Sequence, residues 1–190
     1  MNRFVGAFGA FGVAALLVAP TTARAAHWTV DPAKSTLGFS GSQTGTPFSG
    51  HFTRFDASID FDPAHPEAGH ASVVIDMSSA VTGDTQRDES LPQSDWFDIQ
   101  DFPKAQFEAT SFHAKADHHY EAVGTLTIRG LKKNVVLPFT LNVDGDIATA
   151  KGKLTLVRSD YGVGQGTWAT GQWVALDVDV NIDLTARKAP

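Results

Sequence analysis

Strict alternation of apolar and polar residues runs through most of the chain and constrains its fold more than any other feature. From Val174 to Leu184, every even-numbered residue is Val, Leu or Ile, and every odd-numbered residue is Ala, Asp or Asn. The same period of two recurs over 55–62 and 137–144. Side chains alternate between the two faces of a β-strand, whereas a helix repeats its faces every 3.6 residues. These segments are therefore predicted to be strands with one apolar and one polar face.

Shorter segments with the same pattern bring the predicted count to roughly eight strands. They are residues 36–40, 71–77, 105–112, 120–129 and 147–158. Antiparallel strands that are each apolar on one side bury that side either by stacking as two sheets or by closing into a barrel. The periodicity alone leaves both arrangements open.

Two hairpins are predicted from the residues between these strands. Asp144-Gly145 separates two alternating segments and suits a tight turn, because glycine readily adopts the positive φ angles that such turns need. A second hairpin is predicted at 131–134.

One stretch, residues 82–103, breaks the alternation. Thr85 and Asp88 within it resemble a capping box, which predicts a short helix that ends near Pro92. This helical insertion is expected to lie over an open end of the sheet.

The first 25 residues have the features of an export signal. Arg3 precedes an uncharged stretch over 4–20, and Ala23-Arg24-Ala25 has the small-x-small pattern of a signal-peptidase site. The uncharged stretch is shorter than the roughly 20 apolar residues of a transmembrane helix and contains three glycines. We therefore predict a signal peptide at 1–25, cleavage after Ala25, and an exported domain at 26–190 without a transmembrane segment.

Charge and cysteine content exclude several functions. Fifteen Lys and Arg against 21 Asp and Glu give a net charge of −6, so the chain has no broad basic surface for nucleic acid. The absence of cysteine excludes disulfides, thiol nucleophiles and thiolate metal sites. Nucleic acid is therefore not expected as a partner.

Catalytic and metal-binding motifs are not found. The chain lacks a nucleophile elbow, a zinc-protease motif, a phosphate-binding loop and a dinucleotide fingerprint, and the glycines of 162–166 are expected to form a flexible turn. His118 and His119 are adjacent, so on a strand they would point to opposite faces and could not share a metal. We predict no catalytic residue, no metal and no cofactor.

The inward-facing apolar residues either fill a solid core or line a cavity that holds one elongated ligand. A barrel of about eight strands is wide enough for the second possibility. The residues predicted to contact a ligand in such a cavity are Phe39, Phe52, Ile59, Phe61, Ile75, Phe97, Phe107, Leu126, Ile128, Phe139, Leu141 and Leu156.

Seven short motifs, in order, resemble the YceI family of bacterial periplasmic proteins. They span nearly all of the predicted mature chain, in the family's order and spacing. The motifs are residues 28–35 (WTVDPAKS), 48–55 (FSGHFTRF), 76–79 (DMSS) with Thr82-Gly83, Arg87-Asp88 with Leu91, 96–98 (WFD), 102–107 (FPKAQF) and 124–130 (GTLTIRG).

The resemblance implies an all-β fold, an antiparallel eight-stranded lipocalin-like barrel with a short helical insertion. It further implies a periplasmic protein whose cavity binds a hydrophobic small molecule, either a long isoprenoid or a similar amphiphilic lipid such as a quinone. Near the cavity mouth, Arg87, Asp88 and Arg158 are candidates to hold the head group of that lipid or to form salt bridges at the rim. Trp96 departs from the small or apolar residue that the family pattern has before Phe97.

Three features resemble a branch of the family that is found beside cytochrome b561-type membrane proteins. They are Trp168, the glycines of 162–166 and the turn at 45–47. A membrane cytochrome is therefore a possible partner, and an accessory module of such a cytochrome is an alternative function. An enzyme that modifies a lipid or quinone is another alternative, and it would need titrating groups that converge inside the barrel. A cavity through the barrel favours the lipid-binding function over both.

Overall fold

The computed structural model describes residues 25–190. The predicted signal peptide at 1–25 lies, except for Ala25, outside the described residues. The elements are β1 (Ala26–Val30), β2 (Thr36–Gln43), β3 (Thr46–Phe52), β4 (Phe55–Phe61), β5 (His70–Asp76), β6 (Ala80–Val81), α1 (Thr85–Ser90), β7 (Lys104–Ala114), β8 (His119–Ile128), β9 (Leu131–Asp144), β10 (Ile147–Val157) and β11 (Asp177–Lys188). None of the helices in this part of the chain combines the length and apolarity of a bilayer-spanning segment.

Eight of the strands close into a barrel. They pair in the order β1-β4-β5-β7-β8-β9-β10-β11, and β11 pairs back to β1, always antiparallel. The other half of β11 pairs with β2, and β3 and β6 continue from there. The strands therefore close into a barrel and do not stack as two sheets. The predicted all-β fold, an antiparallel eight-stranded lipocalin-like barrel with a short helical insertion, is confirmed.

The ladder between β9 and β10 stops part-way up the barrel. Its six pairs begin at the hairpin and end where Gly152 lies opposite Phe139. In the part of the chain that the structure describes, residues 131–138 of β9 and 153–157 of β10 have no partner across this gap. Beside this gap, half-buried Val135 of β9 and Leu154 of β10 pack against the cluster of Leu126, Leu156, Tyr161 and Val163. We call this stretch the seam.

One of the two predicted hairpins is in a different place. The turn at Gly145 forms as predicted, with φ of 57° at the glycine. Residues 131–134, by contrast, lie inside β9, and the turn before it is Arg129-Gly130, where φ is 49° and 72°. A two-residue turn of this type needs positive φ at both positions. The Arg129 side chain, which donates to the carbonyl oxygens of the insertion, compensates for that unusual conformation.

The N-cap of helix α1 lies one residue earlier than the sequence predicts. The N-cap is Asp84, whose carboxylate accepts the backbone N–H of Arg87 at 2.9 Å. Thr85 is the first helical residue, and Asp88 accepts from Thr82 instead of completing a capping box. Aspartate is among the best N-cap residues, so it takes this position from the threonine beside it.

Strand β3 escaped prediction because glycine and proline interrupt its pattern. Pro47 and Gly50 lie within it. Gly50 is required there, since a Cβ would lie 2.8 Å from the carbonyl oxygen of Val81 and closer still to the ring of Phe39. Strands β1 and β6, of five and two residues, are too short to show an alternation.

An aromatic cluster, which we call the floor, closes the barrel at the end away from α1. It consists of Phe61, Phe112, Tyr120 and Phe139, whose neighbouring ring centroids are 5.0–6.1 Å apart, together with Trp28, which belongs to the same cluster. The indole of Trp28 donates to the carbonyl oxygen of Phe61 at 3.0 Å, so its one polar group is satisfied.

Candidate functional site

The barrel interior is hollow and divided into two chambers. The upper chamber adjoins α1 and has a volume of about 240 Å³. The lower chamber lies between it and the floor, with a volume of about 170 Å³. Both are bounded by the same four side chains, which form a waist between them: Leu37, Ile75, Leu126 and Val180.

The lower chamber is lined entirely by apolar side chains. This follows from the alternation, because inward residues of nearly every strand are Val, Ile, Leu, Phe or Ala. Such a surface can bury hydrocarbon, but it offers a ligand no hydrogen bond from a side chain.

All twelve residues predicted to contact a ligand lie in the chamber walls. Ile75 and Leu126 border both chambers. Those of the upper chamber are Phe39, Phe52, Phe97, Ile128 and Leu156, and those of the lower chamber are Ile59, Phe61, Phe107, Phe139 and Leu141. That these side chains contact a ligand stays a prediction.

The upper chamber also has lining residues that the sequence reasoning missed. Tyr161, Val163 and Trp168 come from the connection between β10 and β11, and Trp96 and Leu91 come from the insertion. These residues lie outside the strands, so the two-residue period gives no signal for them. The nearest signal was the group of glycines at 162–166, which allows the connection to turn back over the chamber.

Arg158 holds this connection in place. It is 4% exposed, and its guanidinium carbon lies 5.4 Å from the centroid of the Trp96 ring. All five of its N–H groups donate to backbone carbonyl oxygens, which belong to Val163, Gly164, Trp168, Val174 and Ala175. Burial lowers the pKa of Arg158 because desolvation disfavours its charged form, yet an arginine keeps its proton. No N–H is left for a head group.

Gly164 is part of the same arrangement. Its φ is 81°, and a Cβ at this position would overlap the guanidinium of Arg158. A glycine is therefore needed where the chain passes over the arginine.

Arg87 lies at the mouth of the upper chamber with donors to spare. Its two Nη atoms donate to Thr82 Oγ1 at 3.3 Å and Gln43 Oε1 at 3.2 Å. The guanidinium carbon is 4.5 Å from the centroid of the Phe48 ring. Neither hydrogen-bond partner is a carboxylate, and each Nη atom has a second N–H, so among the three predicted head-group residues Arg87 is the one that can still bind an acceptor.

Asp88 is engaged within the insertion. The backbone N–H and the hydroxyl of Thr82 donate to its carboxylate at 2.8 and 2.6 Å. These hydrogen bonds, that of the hydroxyl foremost, lower the pKa of Asp88 from its ordinary value. The carboxylate orients the start of the insertion and is not directed to a ligand.

We expect Asp88→Asn to destabilise the protein at neutral pH and to have little effect in strong acid. A carboxyl whose folded-state pKa is lowered adds stability above its unfolded-state pKa, and this stability is lost as the pH falls through the lowered value. Urea unfolding of parent and variant from pH 7 downward measures this convergence. Glu89→Gln on the same helix is the matched control, and a constant difference at every pH would contradict the interpretation.

The histidines do not assemble a metal site. Within residues 25–190, no three His, Asp or Glu side chains come together in a way that could hold an ion. Asp117 and His118 form the turn between β7 and β8, with φ of 56° and 61°.

A closed antiparallel barrel with a largely apolar, two-chambered interior defines the class of lipocalin-like β-barrels. Within that class the chain belongs to the YceI-like family, whose domain model matches residues 28–186. The family expected from the seven sequence motifs is therefore confirmed.

Individual relatives show how far the similarity extends. A UPF0312 protein of Pseudomonas putida is 29% identical over 190 residues, which cover 95% of this chain and 97% of that protein. The crystal structure of BcnA from Burkholderia cenocepacia has a TM-score of 0.80 and 33% identity, over 82% of this chain and 98% of BcnA. A domain from Saccharophagus degradans, described as polyisoprenoid-binding, shares the fold with a TM-score of 0.67 and 16% identity, over 85% of this chain and 98% of that domain.

Proposed function

We propose that this protein binds a long-chain isoprenoid or a similar amphiphilic lipid, such as a quinone, and carries or stores it in the periplasm. The observation that carries the proposal is the pair of adjoining chambers, of which the lower is lined by apolar side chains alone. The fold shared with a polyisoprenoid-binding domain supports the same class of ligand.

Apolar burial supplies enough free energy for this function. At about 25 cal/mol per Å² of apolar surface, a chain that hides several hundred Å² gains on the order of 10 kcal/mol before the costs of association. Affinity therefore needs no charged partner in the lower chamber.

The head group is placed in the upper chamber, where the lining includes polar side chains. Arg87 offers free donors at the mouth. Asp88 and Arg158 support the insertion and the β10–β11 connection, so their part in binding is to shape the chamber.

Export to the periplasm is part of the proposal, and it rests on the sequence of residues 1–25. A cytochrome b561-type membrane partner stays a prediction from Trp168, the glycines of 162–166 and the turn at 45–47. In the structure Trp168 and 162–166 lie in the connection that Arg158 holds over the upper chamber.

Lipid that co-purifies with the protein tests the proposal. We expect protein isolated without detergent from the periplasmic fraction to release a lipid of isoprenoid type on organic extraction, detected by mass spectrometry. The intact mass of the same sample should correspond to a chain that begins at Ala26. Protein purified after denaturation and refolding is the control and should be empty.

Two results would contradict the proposal. Periplasmic protein that retains residues 1–25 would refute the cleavage. Protein that carries no lipid and takes up no isoprenoid when it is offered would refute lipid binding.

A further inference from the structure

Tyr161 places a phenol ring in the wall of the upper chamber, where its neighbours are apolar. It is 3% exposed and packs in a cluster with Leu126, Leu156 and Val163. Its position follows from the 3-10 turn that begins at Arg158, directly after β10. The side chain contributes to the lining of the upper chamber close to the waist, since Leu126 is a waist residue.

The hydroxyl of Tyr161 has no hydrogen-bond partner among residues 25–190. The hydroxyl is not enclosed either. Within residues 25–190, Arg87 Nε is the one fully buried side-chain nitrogen or oxygen atom that lacks a hydrogen-bond partner, so the Tyr161 oxygen is not fully buried. The hydroxyl therefore borders open space. Tyr161 is only 3% exposed and lines the upper chamber, so this chamber is the open space that the structure provides next to its side chain.

For packing alone, a phenol in this position is less favourable than a phenylalanine ring. Buried tyrosine hydroxyls normally find a partner, and phenylalanine would fill the same volume without a polar group to satisfy. A ligand that brings an oxygen to this depth satisfies the hydroxyl.

We infer that the Tyr161 hydroxyl donates a hydrogen bond to an uncharged oxygen, a carbonyl or a hydroxyl, in the head group of the bound lipid. The head then lies inside the upper chamber, and the chain passes the waist into the lower chamber. This inference rests on the proposed function and specifies the class of head group.

The surroundings favour an uncharged oxygen over a phosphate. Burial, with a smaller contribution from Asp160, raises the pKa of Tyr161, so the phenol stays protonated and can donate. Arg158, in the same turn, has every N–H engaged by the backbone. A phosphate beside Tyr161 would lose its water and gain no donor from Arg158, since Arg87, the arginine with free donors, is at the mouth of the chamber.

Tyr161→Phe tests the inference with a matched pair of C20 ligands, geranylgeraniol and the oxygen-free hydrocarbon phytane. We expect the variant to bind geranylgeraniol about three- to tenfold more weakly, the effect of one hydrogen bond, and to bind phytane as the parent does. Geranylgeranyl diphosphate should bind the parent more weakly than the alcohol. Tyr120→Phe, which changes the other tyrosine of the chain, outside both chamber linings, should leave the ratio of alcohol to hydrocarbon affinity unchanged.

The thermal stability of the ligand-free variant separates binding from a structural role. We expect Tyr161→Phe to melt at the same temperature as the parent or higher, because it removes an unsatisfied hydroxyl. A lower melting temperature would show a structural hydrogen bond and overturn the inference. So would an equal loss of both ligands, no loss of either, or tighter binding of the diphosphate. If the parent binds neither C20 ligand, the proposed function itself fails.

Discussion

Arg158→Met is expected to lower the free energy of unfolding by more than about 3 kcal/mol. The five carbonyl oxygens that accept from Arg158 belong to the connection between β10 and β11, and most of them would be left without a partner. Replacement of a buried ion pair by apolar residues can be neutral, because both partners are removed together. Here the acceptors are backbone groups that no substitution at 158 removes.

Urea unfolding measured by fluorescence gives the change in stability. Arg187→Met is the matched control, because Arg187 is exposed and its loss should cost less than about 0.5 kcal/mol. Equal stability of Arg158→Met and the parent would mean that the connection does not depend on this arginine.

Leu126→Trp is expected to weaken the binding of long isoprenoids at least tenfold and to spare short ones. Leu126 borders both chambers, so a larger side chain at the waist blocks the passage between them. Each buried methylene contributes about 0.8 kcal/mol, and exclusion of only two from the lower chamber exceeds a tenfold loss. The fold should tolerate the change, since the new ring grows into empty space.

Binding of C10 and C20 isoprenoid alcohols and thermal melts, measured side by side, distinguish a cavity from a filled core. In a filled core the same substitution overpacks the interior and costs about 1–3 kcal/mol of stability, without discrimination by chain length. Thr127→Trp, on the outer face of the same strand, is the control for a bulky residue in β8 and should change neither property.

The alternation predicted the barrel wall well because inward and outward positions differ in solvent contact along every long strand. It located β2, β4, β5 and β7–β11 and assigned their apolar faces to the interior. Strand β3 was not predicted because Pro47 and Gly50 interrupt its alternation. Gly50 is needed for a close approach to neighbouring backbone, and neither residue contributes to a hydrophobic pattern. The turn at Arg129-Gly130 was missed because arginine rarely takes a positive φ without tertiary support.

The candidate site could be predicted only where strands supply it. The twelve apolar residues follow from strand parity and from the insertion, whereas the role of Arg158 depends on a connection that folds back over the chamber. From the sequence, Arg158 is an arginine near a glycine-rich segment, and this pattern is equally compatible with a contact to a head group and with a structural role. Five carbonyl oxygens at hydrogen-bonding distance decide between them.

The seam between β9 and β10 is where we expect the barrel to widen most easily. Widening a fully laddered barrel at any pair of strands breaks backbone hydrogen bonds, which is costly in a low-dielectric wall. Along the seam, among residues 25–190, no ladder pair joins β9 to β10, and apolar contacts such as those of Val135 and Leu154 can be exchanged for contacts with another apolar group at little cost. We therefore expect the circumference of the interior to adjust along this one line of its wall more readily than elsewhere, while the hydrogen bonds of the other strand pairs stay intact.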